Sequence, residues 1–421
     1  MKHCRHRKDC RLCGATDFEL VLPILPSAIG DAFVSKEQLG EVQDLYPLDT
    51  YICLECGHVQ NLDVVDPEIL FRNYTYRTSA SMGLVEHFKR YALNVVSDLD
   101  LAANSLVVEL GSNDGSLLKA FQALGMRVLG VDPAEAVAAL ATAEGVPTIP
   151  EFFATSVAQR ILASNGSAKL ICANNVFAHI DNIGDIVRGI RLLIAADGVF
   201  VFEVSYLPDM IDNFVFDTIY HEHLSHHALT PLERFLNSLD MSLFDVQRVA
   251  TKGGSIRGFA QAMSTGTHEK TCRYRQMVDE EKRRGISRPE IYRKFYQDIE
   301  TRKQAVIAYV DQSIGKGKKI AAYGASTTTT TLLYHFELQS RVMFIVDDNP
   351  LKYTTFSPGA HIPVYPSSEL YESLPDVVII LAWQYADAII RRHQEYCEKG
   401  GKFLIPLPTM QIVSKNDEGR A

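Results

Sequence analysis

The chain lacks any long apolar run. No stretch approaches the roughly 18–20 apolar residues that a membrane helix needs, so no membrane span or membrane partner is expected. It also lacks an excess of positive charge. Forty-two Lys and Arg stand against 51 Asp and Glu, a net charge of −9, which argues against nucleic acid and anionic lipid as partners. The basic start, MKHCRHRKDC, has no apolar h-region behind it, so no secretory signal is expected and a cytoplasmic location is. Eight cysteines are too few to staple 421 residues by disulfides. Phosphate-cradling signatures are missing as well: neither G-x-G-x-x-G nor G-x-x-x-x-G-K is present.

What remains is an ordinary globular composition, 47% apolar and 22% charged. The length suits two or three domains at roughly 100–200 residues each. Four regions separate. Residues 1–70 carry the cysteine pairs and residues 71–264 alternate strand-like and helix-like segments. Residues 265–318 are charged with helical patterning and read as a connector, and residues 319–421 alternate again.

In the second region, Leu106–Leu110 (LVVEL) is a short apolar run suited to a buried parallel strand. The loop GSNDGS and a helix over Leu117–Leu124 follow. Further strands are expected at Val128–Val131, Leu170–Ala173 and Val199–Val204, with helices over about 134–144 and 182–194 between them. This spacing implies an α/β fold with a doubly wound parallel sheet. The last region predicts a second, smaller Rossmann-like fold. Its strands are expected at Lys319–Tyr323, Met343–Val346, Val377–Ala382 and Phe403–Pro406, with a helix over Thr329–Phe336.

Cys10, Cys13, Cys53 and Cys56 form two Cys-x-x-Cys pairs. Each pair on a tight turn can face both sulfurs to one ion, and four thiolates close a structural Zn²⁺ site with no open catalytic position. Cys4 is expected to be a bystander, and His58 could replace a ligand although four thiolates suffice.

The segment Glu109-Leu110-Gly111-Ser112-Asn113-Asp114-Gly115 sits where a strand meets a helix, and its glycines let a ligand approach the backbone. Asp132 ends the next strand, where a carboxylate can accept from both hydroxyls of a ribose. An acidic residue before the loop, a glycine pair within it and an acidic end to the next strand resemble the donor site of class I S-adenosylmethionine-dependent methyltransferases. That ligand is cationic and has no phosphate, so carboxylates can stand where phosphate-binding amides would be. Phe152 and Phe153 could flank the adenine, and Asn174 and Asn175 follow a strand end over the same crevice.

Four of the 13 histidines crowd into FDTIYHEHLSHH, residues 216–227. Tyr, His and Glu together supply groups that move protons near neutral pH. His179, in NNVFAHIDN, lies over the same crevice.

Together, the four-cysteine unit, VVELGSNDGSLL, NNVFAHIDN and above all FDTIYHEHLS resemble the sugar C-methyltransferases of deoxysugar biosynthesis. KGGSIR, YGAS, DDNPLK, PGAHIPV and LAW follow in order, so the resemblance spans nearly the whole chain. It implies a zinc-binding N-terminal domain, a central methyltransferase domain and a Rossmann-like C-terminal domain. The implied reaction is methylation from S-adenosylmethionine at carbon 3 of a nucleotide-linked 4-keto-6-deoxysugar, by way of an enolate. His223 is then the base, Tyr220 binds the keto oxygen or assists proton transfer, and Glu222 orients a sugar hydroxyl or an imidazole. His179 sits across the sugar, with Tyr74 the favoured active-site tyrosine and Tyr76 the runner-up. Lys352 or Arg257 could meet the diphosphate. The threonine run Thr327–Thr331, the ending Ser225-His226-His227 and Lys252 depart from the family's usual residues. The alternatives are an oxygen or nitrogen methyltransferase on another acceptor, a nucleotide-sugar dehydrogenase or epimerase, and a non-enzymatic zinc protein. No interface pattern is readable, so the oligomeric state stays open and a monomer is compatible.

Overall fold

Three blocks of strand-forming sequence build four sheets in the computed structural model, which describes residues 3–72, 78 and 83–415. The first block contributes β1 (Cys4–His6), β2 (Phe18–Leu22), β3 (Thr50–Cys53), β4 (Val59–Asn61) and β5 (Asp63–Val65). β1 and β5 form a two-stranded ribbon, and β2, β3 and β4 are antiparallel neighbours.

The second block contributes β6 (Leu106–Leu110), β7 (Arg127–Val131), β8 (Thr148–Ile149), β9 (Ala168–Asn174), β10 (Ile194–Ser205), β11 (Ser225–His226), β12 (Met241–Val249) and β13 (Ser255–Ala262). Seven of these make one sheet in the order β12-β13-β10-β9-β6-β7-β8. The five from β10 to β8 run parallel, and β13 and β12 close the edge antiparallel. Every residue of β6 is buried, as expected for a central strand covered on both faces. The expected helices occur at Ser116–Ala123, Glu135–Ala143 and Ile183–Leu193, joined by another at Thr155–Asn165.

The third block contributes β14 (Ile320–Tyr323), β15 (Ile345–Asp347), β16 (Val364–Pro366), β17 (Val377–Ile380), β18 (Lys402–Ile405) and β19 (Gln411–Val413). Their order is β16-β15-β14-β17-β18-β19, parallel except at β19. The expected strand at Val377–Ala382 stops at Ile380, because Ala382 already enters the turn Trp383–Tyr385. The expected helix at Thr329 starts two residues earlier, at Thr327, because Ser326 caps it. The Ser326 amide donates to Thr329 Oγ1 at 2.8 Å.

Two features join the blocks. β11 belongs by sequence to the central region, yet it pairs with β4 as the fourth strand of the N-terminal sheet. The connector consists of the helices Cys272–Arg284 and Pro289–Gly315. In the second helix Tyr292, Phe295, Ile299, Val306 and Val310 are buried along one stripe. They share one apolar core with Val21 and Leu22 of β2 and with the strands of the C-terminal sheet. Among the described residues no helix is long and apolar enough to cross a membrane.

Gly57 marks where the cysteine-bearing turn meets the connector. Its φ is +77°, and a Cβ there would lie 2.9 Å from the Ser287 Cα. Gly57→Ala should therefore lower unfolding stability by about 1–3 kcal/mol in denaturant titration, from strain and overpacking together.

Candidate active site

The two cysteine turns converge. Cys10 Sγ lies 3.7 Å from Cys56 Sγ, and Cys13 Sγ lies 3.6 Å from Cys53 Sγ. All four sulfurs fall within 4.8 Å of one another. A tetrahedral zinc with bonds of about 2.3 Å needs sulfurs about 3.8 Å apart, so the set fits that ion. His58 is not among them. It is buried, and its Nε2 lies 3.2 Å from Ser225 Oγ, where it holds β11 against β4. Cys4 lies on β1, outside the cluster.

A cavity of about 550 Å³ opens at the carboxyl ends of β6, β7 and β9. Glu109, Gly111, Asn113, Asp132, Asn174 and Asn175 line it, as do Phe152 and Phe153. Asp132 accepts from the Asn113 amide at 2.8 Å and the Ala134 amide at 2.9 Å, so it shapes the loop while facing the cavity. Asp114 and Gly115 do not line it. Asp114 accepts from Ser116 Oγ at 2.6 Å, at the start of the following helix, and Gly115, at φ +72°, makes the turn into that helix.

The histidine-rich segment is divided between packing and chemistry. His226 Nε2 lies 3.0 Å from Asn61 Oδ1, and His227 stacks on Phe177 at 5.5 Å. His221 Nε2 lies 3.2 Å from the Tyr46 carbonyl. His223 differs. Its Nδ1 lies 2.7 Å from the Thr218 carbonyl oxygen, which can only accept, so Nδ1 carries a proton. Its Nε2 lies 2.8 Å from Tyr220 Oη. Burial, with His179 and Lys252 nearby, pushes the His223 pKa well below its ordinary value. The ring is therefore neutral, and Nε2 is a lone-pair acceptor for the Tyr220 hydroxyl.

Around it, the His179 ring sits 5.0 Å from His223 and stacks on Phe71 at 5.7 Å. Burial lowers the His179 pKa to about 3. Glu222 is pushed up to about 7 by burial, then by Asp31, against Lys252.

A second cavity of about 220 Å³ lies between the central and C-terminal folds. Thr218, Tyr220 and His223 line one side, and Ser326, Thr328, Trp383 and Gln384 line the other. Tyr220 and Lys252 border both cavities. Two pockets meeting at a tyrosine beside a neutral imidazole can present two ligands to one another.

Comparison with known proteins agrees with this arrangement. Residues 10–71 match a zinc binding domain family, 85–243 a methyltransferase domain family, and 250–408 the C-methyltransferase C-terminal domain family. C-methyltransferase NovU of Streptomyces niveus is 34% identical over 407 residues, covering 96% of this chain and 97% of that protein. The chain belongs to the C-methyltransferase family. Partial likenesses to solved structures also exist. Magnesium protoporphyrin IX methyltransferase from Synechocystis PCC 6803 is 16% identical, with a TM-score of 0.34 over 42% of this chain and 82% of that one. The 1,6-didemethyltoxoflavin-N1-methyltransferase of Burkholderia thailandensis is 20% identical, with a TM-score of 0.33 over 42% of this chain and 79% of that one. Membership rests on the near-full-length relative and not on these.

The enzyme is thus an S-adenosylmethionine-dependent C-methyltransferase with an N-terminal zinc-binding domain. The larger cavity fits that donor by its unmet polar atoms. Glu109 Oε2 and both polar atoms of the Asn174 side chain are buried with no hydrogen-bond partner among the described residues. Burial, then the Asp132 charge, raises the Glu109 pKa well above the usual carboxylate range, and the nearby Asn174 amide opposes this. A cationic amino-acid end would supply the missing donors and charge. Gly111 is required there: at φ +66°, its added Cβ would lie 2.3 Å from Val176 Cγ2.

Some expectations fall elsewhere. Lys352 Nζ pairs with Asp31 at 2.7 Å, and Arg257 is buried against Glu203 at 2.5 Å, so neither is available to a diphosphate. Tyr74 and Tyr76 lie outside the described residues. The threonine run is structural: Thr330 Oγ1 donates to the Gly30 carbonyl at 2.9 Å and Thr331 Oγ1 to the Ile219 carbonyl at 3.0 Å. Asp217 was not singled out from the sequence. It lines the second cavity, accepts from Trp383 Nε1 at 2.9 Å, and is pushed up to about 7 by burial. Only the FDTIYHEH run itself marked it.

Two outcomes follow from the geometry. Cys56→Ser should remove the metal measured by mass spectrometry and slow methyl transfer roughly tenfold or more, since β4 carries β11. Burial favours protonated Glu109, so binding a cation must expel its proton. Affinity for S-adenosylhomocysteine, by calorimetry, should rise with pH, and Glu109→Gln should flatten that rise.

Proposed function

We propose that the enzyme methylates carbon 3 of a nucleotide-linked 4-keto-6-deoxysugar through an enolate. The observation that carries this reading is the Thr218–His223–Tyr220 array, which keeps an imidazole neutral and aimed at the wall of the second cavity. Methylating carbon requires loss of a carbon-bound proton, and a ketone next door makes that proton acidic. Methylating oxygen or nitrogen does not require loss of a carbon-bound proton.

In this reading the donor occupies the part of the larger cavity around Glu109 and Asp132, and the acceptor sugar reaches from the smaller cavity into the part lined by Glu222 and His179. S-adenosylmethionine supplies an electrophilic methyl group from its sulfonium. His223 Nε2 takes up the proton lost from carbon 3 through the Tyr220 hydroxyl, which passes its own proton to Nε2 and receives the one from carbon. The His223 Nδ1–H stays on the Thr218 carbonyl, which fixes the ring and stabilises the imidazolium that forms. Tyr220 assists that transfer from the shared border of the two cavities. Glu222 holds a sugar hydroxyl, and neutral His179 closes the far side against Phe71. Tyr74 remains a proposed active-site tyrosine. Glu109, Gly111, Asn113, Asp132, Asn174 and Asn175 are proposed to bind the donor; Asp114 and Gly115 are proposed to act by shaping the loop.

Incubation with S-adenosylmethionine and TDP-, GDP- and CDP-linked 4-keto-6-deoxyhexoses should give one product with a carbon-bound methyl at carbon 3, read by NMR. Methyl transfer to oxygen or nitrogen, or none despite donor binding, would overturn the assignment. His223→Asn should cut turnover by about 10²–10⁴-fold and leave the affinity for S-adenosylhomocysteine within a few-fold.

A further inference from the structure

Enolate chemistry needs a donor for the oxygen that becomes negative, and the array around His223 does not provide a charged one. Tyr220 Oη has a single proton, and that proton is given to His223 Nε2. His223, His179 and His221 are all neutral, with pKa values held down chiefly by burial. A charged donor at the keto oxygen would hold the developing negative charge more strongly than the Tyr220 hydroxyl alone.

Lys252 is in the right place. It borders both cavities, so it stands where the two ligands would meet. Lys252 is exposed, and it is a lining residue of each cavity. Its ammonium forms no ion pair within 4.0 Å and no hydrogen bond among the described residues, although three N–H donors are available. Glu222 and Glu203 are the carboxylates whose charges favour its protonated form, against the desolvation that opposes it. A cation left without a partner at the junction of two cavities calls for an anionic atom on a ligand.

The backbone around it is built for presentation. Lys252 has φ +53°, a left-handed conformation unusual for a side-chain-bearing residue. Gly253 and Gly254 follow, also at positive φ. A Cβ at Gly254 would lie 2.5 Å from Asp209 Cβ, and one at Gly253 would lie 2.8 Å from Val215 Cγ1. The Gly253 carbonyl accepts from Asn213 Nδ2 at 2.8 Å, and the Thr251 carbonyl accepts from Ser255 Oγ at 3.0 Å. The backbone of the loop is therefore held on both sides of Lys252.

We propose that Lys252 is a further catalytic residue, whose ammonium donates to the keto oxygen of the acceptor and stabilises the enolate oxyanion formed when His223 removes the neighbouring proton through Tyr220. The step balances: the C–H electron pair becomes the enolate π bond, the carbonyl π pair moves to oxygen, the carbon proton passes to the Tyr220 oxygen, and the Tyr220 proton rests on His223. Methyl transfer then restores the ketone, and Lys252 keeps its proton throughout. A cation already standing beside the keto oxygen suits this role, because it meets the charge as it develops. The proposal rests on the 4-keto-sugar reading above.

The test uses the full-length protein, TDP-4-keto-6-deoxyglucose or the panel member found active, and three variants, Lys252→Met, Lys252→Arg and Lys252→His. Two rates are read: methylation with S-adenosylmethionine, and deuterium uptake at carbon 3 from D₂O without it. Lys252→Met should lower kcat and deuterium uptake together by about 10²-fold or more, with KM and S-adenosylhomocysteine affinity within a few-fold. Lys252→Arg and Lys252→His should recover part of both rates, and they report on the role even if Lys252→Met folds poorly. A rise in KM with unchanged kcat would assign Lys252 to phosphate binding and overturn the proposal, as would full activity in Lys252→Met. Failure of the unaltered enzyme to exchange or methylate any panel member would instead overturn the 4-keto-sugar reading itself.

Discussion

The residues from Phe216 to Leu224 contain little regular structure, and what holds them is the pairing of β11 with β4. Ser225 and His226 add a short strand to the sheet that the four cysteines clasp. His58 and Asn61 of that sheet then bind Ser225 and His226 through their side chains. A two-residue strand has no stability of its own, so the chemistry-bearing segment takes its shape from the zinc-binding domain. The four cysteines thus stand in the domain whose sheet anchors the segment proposed to carry the chemistry.

The same domain grips the donor side. Arg5, Arg7 and Arg11 all pair with Asp181, on the loop that follows His179. Arg11 is buried and also reaches the Asn61 carbonyl, which links the clasped sheet to that loop. The C-terminal fold completes the enclosure from the opposite direction, with Thr331 on the Ile219 carbonyl and Trp383 on Asp217. Three domains thus converge on one irregular segment, and each contributes hydrogen bonds that the segment cannot make internally.

Burial then performs the chemical tuning. Desolvation disfavours the charged form of every group it touches, so imidazoles become neutral and carboxyls retain protons. His223 is kept as a free base, while Glu222 and Asp217 are each lifted to about 7. Burial raises the Glu109 pKa too, and a cationic group beside it would oppose that shift. Desolvation lowers the Lys252 pKa as well, and the charges of Glu222 and Glu203 oppose that shift.

The sequence by itself determined what local pattern can determine. Apolar runs such as LVVEL declared buried strands, Cys-x-x-Cys spacing declared a thiolate site, and the loop from Glu109 to Gly115 declared a strand-to-helix ligand crevice. These signals are local because turn geometry and strand burial act over a few neighbouring residues. Tertiary structure alone decided which of the clustered histidines packs and which faces a cavity, since residues 221, 223, 226 and 227 look alike in the chain. It set Asp114 against the Ser116 hydroxyl, bound Lys352 and Arg257 into ion pairs, and gave Asp217 and Lys252 a cavity to line. Each of those outcomes depends on partners tens or hundreds of residues away, and burial, the agent that sets the charge states, exists only once the domains have packed.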